Sequence, residues 1–475
     1  MKISSKILVS AALGVTTVFG FSTPAEAAKL IESVVIGENF TGTTRFDPGT
    51  LGFIPPDTMG AVGPDHIVEL INGTYAVYDK GTNGLLAQPR TSLDQFWINA
   101  GVTPAGSFSF DPRILYDPFS SRWYATAVDN AGNANNFLVA ASIDSNPLNG
   151  WTAVSIDSDT DNSHWADFPT LGINADNLFI SANMFPLSGS GVNTTILEVD
   201  KDTLDVVGLE QNLSPNSTGF SVQPVVDMDN TSDPHPAFSS FSSGVYRRSD
   251  INNGAVISDG NIFVPGFTGP PLAQQPGIPD TINTSNSRFS SNLVLKDGWV
   301  WGVHSIEVGG RSGLRWFKID EANNTVVETG DIFDPNLDFY YGSIAVNDWK
   351  EVVIGFSCSG EALFVSSCAV VGQNIGGSTV FDDFMILEEG TATYEVVDGI
   401  GRNRWGDYSA TVLDPEDPLT FWTFQEIATG SNRWSIQVTE IKLAKAPEPS
   451  SMLALLGLGT LGALTSNKRK SNKDG

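Results

Sequence analysis

The stretch Asp111 to Asp144, DPRILYDPFSSRWYATAVDNAGNANNFLVAASID, constrains the chain most, because the rest of the sequence keeps rewriting it. A short apolar run (Ile114, Leu115, Tyr116) meets a polar turn at Asp117. An alternating run follows (Trp123, Ala125, Ala127), then a loop and a third run (Phe137, Val139, Ala141). Period-two alternation of β-branched and aromatic residues, bounded by Asp, Pro, Asn and Gly, is the signature of antiparallel strands. Related units stand at Ala61 to Tyr78, Leu171 to Val199, Leu293 to Ile319, Ile344 to Val371 and Thr411 to Ile441. A further, weaker one is expected between Val222 and Gly266. The turn aspartates Asp65, Asp117, Asp176, Asp297, Asp348 and Asp417 mark the repeat. Repeats of roughly 40–50 residues or more, each one small sheet, indicate a propeller. The reading is therefore all-β: a β-propeller of about seven blades, with six as the alternative count. Stacked β-sandwiches do not repeat one meander at near-constant spacing.

Composition agrees with a turn-rich β protein: 47 Gly and 26 Pro accompany 41% hydrophobic and only 17% charged residues. The formal charge is −28. A surface this acidic repels nucleic acid and anionic lipid, which excludes polyanion binding as the main role. Gly101 to Ser109, Asp202 to Thr218 and Gly266 to Ser287 read as loops or insertions. Leu30 to Phe53 reads as a strand-bearing lead-in that completes the last blade and removes its exposed edge.

The expected organisation is a leader over 1–27, a propeller over 28–443 and a distinct tail over 444–475. Lys2 and Lys6 precede the apolar run Ile7 to Phe21, and Ala25-Glu26-Ala27 supplies a small-residue cleavage site: a secretory signal peptide. In the tail, Pro447-Glu448-Pro449 is followed by an uncharged stretch and then by Lys468, Arg469 and Lys470. A transmembrane helix is expected over 450–466, with the basic cluster held cytoplasmic. This arrangement closely resembles the PEP-CTERM sorting signal of bacterial envelopes. The resemblance implies recognition by an exosortase, transient inner-membrane anchoring, and then display at the cell envelope or outer surface, or secretion.

Equivalent positions upstream of each unit's first strand carry polar or aromatic residues: Asp57, Asp111 and Arg113, Asp167, Gln223, Arg288, Tyr340 or Tyr341, and Asp407. The first strand of each blade lines the central channel, so these positions converge on one mouth. They either hold a ligand or tie neighbouring blades together through buried pairs. Arg113, Arg288 and Arg404 in this setting, with Tyr341 as a nucleophile and Asp57 or Asp167 as an acid, resemble the layout of sialidase-like propellers. That resemblance implies a carboxylate-bearing sugar as substrate. The chain lacks the Ser-x-Asp-x-Gly-x-Thr-Trp box of those proteins, and no Glu is placed to activate Tyr341. Asp157, Asp159 and Asp161 match the start of a Ca²⁺ loop, but Phe168 stands where its closing Glu belongs. Ca²⁺ is the one cofactor the sequence raises. Cys358 and Cys368, the only cysteines, lie in one expected hairpin and read as a disulfide in an oxidising compartment. The leading reading is a non-catalytic binding or structural module of the envelope or its exopolysaccharide. Its partners would be envelope polysaccharide or another surface protein. The alternative is an extracellular glycan hydrolase or lyase using Asp57, Arg113, Asp167, Arg288, Tyr341, Arg404 and Asp407.

Overall fold

The computed structural model describes residues 31–277 and 281–445. The expected leader, the Pro447-Glu448-Pro449 triplet and the 450–466 helix lie outside them. Among the described residues no helix is long and apolar enough to cross a membrane.

The chain forms successive antiparallel meanders packed as the blades of a β-propeller. The first comprises Gly60–Val62, His66–Ile71 and Thr74–Asp79. The next runs Ser109–Asp117, Arg122–Asp129, Asn136–Ser142 and Trp151–Asp157. Then come His164–Ile173, Asn177–Pro186, Asn193–Asp200 and Val206–Leu213. A sheet of Gln223–Pro224, His235–Ser242, Val245–Asn252 and Ala255–Phe263 follows. Val294–Lys296, Trp299–Val308, Arg311–Asp320 and Thr325–Ile332 form the next. It is linked to the His164–Ile173 meander by parallel pairing through Val226–Asp227. Leu337–Val346, Val352–Gly360, Leu363–Ile375 and Ser378–Phe381 precede the last meander, Ala410–Leu413, Thr420–Gly430 and Arg433–Lys445.

The N-terminal strand Ile31–Thr44 supplies the outer strand of that last sheet, pairing Val34 with Leu443 and Phe40 with Val438. First and last parts of the chain thus close the ring, and the edge of Arg433–Lys445 is covered.

Burial falls from the axis outward. Gly60–Val62 and Val352–Gly360 are buried throughout, whereas Trp151–Asp157 and Ala255–Phe263 are largely half-buried or exposed. This gradient explains why inner strands read as unbroken apolar runs and outer ones do not. The blades pack closely enough that a Cβ on Gly60 would lie 2.3 Å from the Phe424 ring.

Three segments differ from the sequence reading. Asp202 to Thr218, expected as a loop, contains the strand Val206–Leu213 and a short helix, Pro215–Thr218. As an outer strand it is only partly buried, so its alternation is weak. The Val222 to Gly266 unit contains the polar strands His235–Ser242 and Val245–Asn252 as well as the expected ends. A helix, Leu93–Asn99, precedes the Gly101 loop. It is capped by Ser92 and buries Leu93, Phe96 and Trp97.

Cys358 and Cys368 form a disulfide, with Cα atoms 5.9 Å apart. They are not directly opposed: Cys358 faces Ser366 and Cys368 faces Phe356, so the bridge runs diagonally between the strands.

Candidate functional site

Three inner strands carry the same local device. In Ser109–Asp117, Asp111 and Pro112 together oppose the single position between Thr126 and Val128. In His164–Ile173, Phe168 and Pro169 do so, and in Leu337–Val346, Tyr341 and Gly342. The first residue of each bulge has positive φ: 53° at Asp111, 53° at Phe168 and 52° at Tyr341. Asp57 (49°) and Ser221 (52°) adopt the same conformation at the heads of two further meanders. Such φ values cost a non-glycine residue roughly 1–3 kcal/mol and persist only where surrounding packing imposes them. In the first two bulges the second residue is proline, Pro112 or Pro169, which has no N–H, so the interrupted ladder leaves no donor stranded there.

The heads converge on a cleft of about 550 Å³, whose walls include Asp57, Asp111, Asp167, Arg288, Arg404 and Asp407. Phe53, Phe108, Phe110, Phe185 and Phe220 line it as well, with Phe108 stacked on Phe110 at 5.2 Å. Asn283, Ser285 and Asn286 reach the cleft from the long Gly266 to Ser287 segment.

The acids are largely committed to one another. Asp57, Asp111 and Asp167, at the heads of three successive meanders, stand close enough for the charge of Asp111 to act on both of the others. Asn72 donates to Asp57 Oδ2 at 2.7 Å and accepts the Asp111 N–H at 2.8 Å. The Phe168 N–H donates to Asp111 Oδ2 at 3.0 Å. Burial, then the charges of Asp407 and Asp111, push Asp57 well above the usual carboxylate range. Burial, then Asp111 and Asp407, do the same to Asp167. Burial, then Asp407, raises Asp111, while its hydrogen bond with Asp57 opposes the rise. Two carboxyls within hydrogen-bonding reach share a proton, since two bare carboxylates there repel. Asp167 is the most open of the three.

Asp407 is held between two arginines. Arg288 Nη2 donates to its Oδ1 at 3.0 Å and Arg404 Nη2 to its Oδ2 at 3.3 Å. Burial works against the Arg404 charge, but Asp407 and Asp57 keep the guanidinium firmly protonated. Arg288 also lies 4.0 Å from the Phe168 ring centroid.

Arg113 and Tyr341 lie beneath the cleft instead of lining it. Arg113 is fully buried, donating from Nε to Pro169 O (2.9 Å) and from Nη1 to Ser290 O (3.1 Å). Its guanidinium lies 3.4 Å from the Tyr408 ring centroid and 5.0 Å from that of Phe168. Tyr341 is buried, and its hydroxyl donates to Asn283 O at 3.0 Å. Burial and the Asp407 charge push that hydroxyl far above its ordinary range, away from phenolate character. Tyr340 and Gln223 are buried too; Gln223 donates to Phe289 O. Sequence reasoning missed Asn72 and the Phe lining. Pro112 and Pro169 inside apolar runs signal the bulges.

In the Asp157 to Asp161 turn, the carboxylates cap their own backbone. Asp157 Oδ1 accepts the Asp159 N–H, Asp159 Oδ2 accepts those of Ser163 and His164, and Asp161 Oδ1 accepts that of Ser163. Among the described residues, no group of three or more His, Cys, Asp or Glu side chains is arranged to hold a metal ion.

Residues 445–470 match the family model of the PEP-CTERM protein-sorting motif. The motif implies export and sorting to the cell envelope, with recognition by an exosortase. No curated protein matches the chain. Among solved structures, an α-L-arabinofuranosidase from Fusarium graminearum in complex with an iminosugar inhibitor is 9% identical. That match covers 86% of this chain and 98% of the other, with a TM-score of 0.40. Trypanosoma rangeli sialidase is 10% identical over 87% of this chain and 63% of its own, with a TM-score of 0.33. Kuenenia stuttgartiensis hydrazine synthase is 11% identical over 80% and 76%, with a TM-score of 0.32. At these identities and TM-scores the matches carry no argument about this chain, whose propeller is read from its own meanders.

Proposed function

We propose that the mature chain is a saccharide-binding module of the cell envelope or its exopolysaccharide, and that it does not turn its ligand over. One blade per meander gives a ring of seven. The leader over 1–27 directs export, and the 450–466 segment anchors the precursor until an exosortase acts at the tail.

The observation that carries this reading is the state of the acids. A two-carboxylate hydrolase needs one free carboxylate and one proton donor facing the same substrate. Here Asp57 is buried and accepts from Asn72, Asp111 is buried and accepts the Phe168 N–H, and Asp407 is neutralised by Arg288 and Arg404. What remains is a floor of carboxyl and guanidinium groups with phenylalanine walls, suited to hydroxyls above and sugar faces at the sides. Calorimetry of the mature protein against a panel of envelope polysaccharides tests the proposal. Saturable binding that weakens in Arg404→Ala, with the polysaccharide recovered intact, is expected. Release of new reducing ends, abolished in Asp167→Asn, overturns it.

A second reading draws on Asp167. Burial, then Asp111 and Asp407, push this carboxyl well above the usual carboxylate range, the direction a general acid needs. On that reading the chain is a glycoside hydrolase, and the reducing-end assay separates the two.

A further inference from the structure

The far end of the channel holds a second concavity, unrelated to the acidic cleft. It encloses about 380 Å³ and is lined by residues that include Leu115, Phe119, Met228, Ile344, Val412 and Pro418. Between the two ends the axis is filled by hydroxyls: Ser343 to Thr411 at 2.8 Å, Ser409 to Ser343 at 2.9 Å, and Ser291 to the Ser409 carbonyl at 2.8 Å. The far mouth is therefore a site of its own. Phe119, on its rim, is 52% exposed.

We infer that this mouth receives part of the apolar segment of the chain's own tail, Ser450 to Thr465, in the unprocessed precursor. Position is the first reason. The Leu443 N–H donates to Leu419 O at 2.8 Å, and Leu419 follows Pro418, which lines the mouth. The last described strand, ending at Lys445, thus delivers the chain to the rim. Ala446 to Pro449 span up to about 13 Å when extended, enough to start crossing the face of a blade.

Chemistry is the second reason. The segment SSMLALLGLGTLGALT is uncharged and finds an apolar surface nearby. It is followed by Lys468, Arg469 and Lys470, while the same face exposes Asp65, Asp176, Glu416 and Asp417. Asp348 and Asp414 in the lining are paired with Lys296 and Lys80, and Asp117 with Lys201, which leaves the exposed Asp65, Asp176, Glu416 and Asp417 as the acidic surplus of this face. Apolar segment to apolar mouth and basic end to acidic rim give one orientation. Docking shelters the segment from water until a membrane or an exosortase takes it.

The test is cysteine pairing in the full chain without membranes. Phe119→Cys with Leu455→Cys is oxidised mildly, and the linkage is read by peptide mass spectrometry. The native cysteines are already bonded to each other and do not compete. The control is Ile257→Cys with Leu455→Cys, because Ile257 is 56% exposed on an outer strand remote from the axis. The 119–455 linkage should dominate, and alkylation of Phe119→Cys alone should be several-fold slower than that of Ile257→Cys. Equal linkage at both positions, or none at 119, overturns the inference. So does shielding of Phe119→Cys that appears only with phosphatidylcholine vesicles, since a bilayer would then be the occupant.

Discussion

Replacing Arg113 with Met separates a structural arginine from a ligand-binding one. The side chain is fully buried and donates to Pro169 O and Ser290 O, on two other meanders, while stacking on Tyr408. Hydrogen bonds from a charged donor are worth about 1.5–3 kcal/mol each, and a desolvated cation–π contact about 2 kcal/mol. Against this stands the cost of burying a guanidinium, several kcal/mol, which also lowers its pKa. The methionine fits the space but leaves both carbonyls without a donor. The net expected loss is about 3–5 kcal/mol. Arg113→Lys keeps the charge and one carbonyl contact but loses the planar fork, so it should fall about halfway. Urea titration followed by tryptophan fluorescence measures both, with 11 tryptophans as reporters. Saccharide affinity per folded molecule should stay unchanged. A methionine variant of wild-type stability that loses its ligand would refute the reasoning and make Arg113 part of the binding surface.

The raised pKa values of Asp57, Asp111 and Asp167 mean that the folded state binds more protons than the unfolded chain, so their contribution to stability falls as pH rises through the raised folded values. Burial holds His235 and His304 neutral, at about 3, so their contribution is lost as pH falls below the unfolded value. The check is therefore differential: Asp57→Asn with Asp167→Asn should flatten the decline in stability as pH rises above the ordinary carboxylate range, and an unchanged slope would count against proton sharing. Converting Cys358 and Cys368 to Ala opens a loop of sequence separation 10 and should cost about 2–3 kcal/mol in urea titration. Deleting 31–44 uncovers the edge of Arg433–Lys445 and should raise aggregation above that of the intact chain, read by light scattering.

Much of the fold was legible because the inner strands are buried on both faces and read as continuous apolar runs, repeated with Asp-bearing turns. The closing role of the N-terminal strand followed from the need to cover an edge. Strands such as His235–Ser242 (HPAFSSFS) and Val206–Leu213 (VVGLEQNL) were not legible, since Ser, Gln and Asn beside half-buried positions give no clean period. The helix Leu93–Asn99 left a signal, Ser92 followed by Leu93, Phe96 and Trp97 at i, i+3 and i+4 spacing, but it is only two turns long. The repeat placed Asp57, Asp111, Asp167, Arg288 and Asp407 at equivalent positions, and rotation about one axis brings such positions to one cleft. What the repeat does not encode is depth. Arg113 and Arg288 look alike in sequence, yet one lies under the bulge of the next meander and the other beside Asp407, a difference set by tertiary packing.

Carbon-13 NMR titration of the aspartate carboxyls, in the intact propeller and in Asp111→Asn, tests the central claim most directly. If three successive meanders share one hydrogen-bonded carboxyl unit, Asp57 and Asp167 titrate well above the ordinary range, and both move together when Asp111 is replaced. Independent titration of the two near about 3.9, with no response to Asp111→Asn, would contradict it.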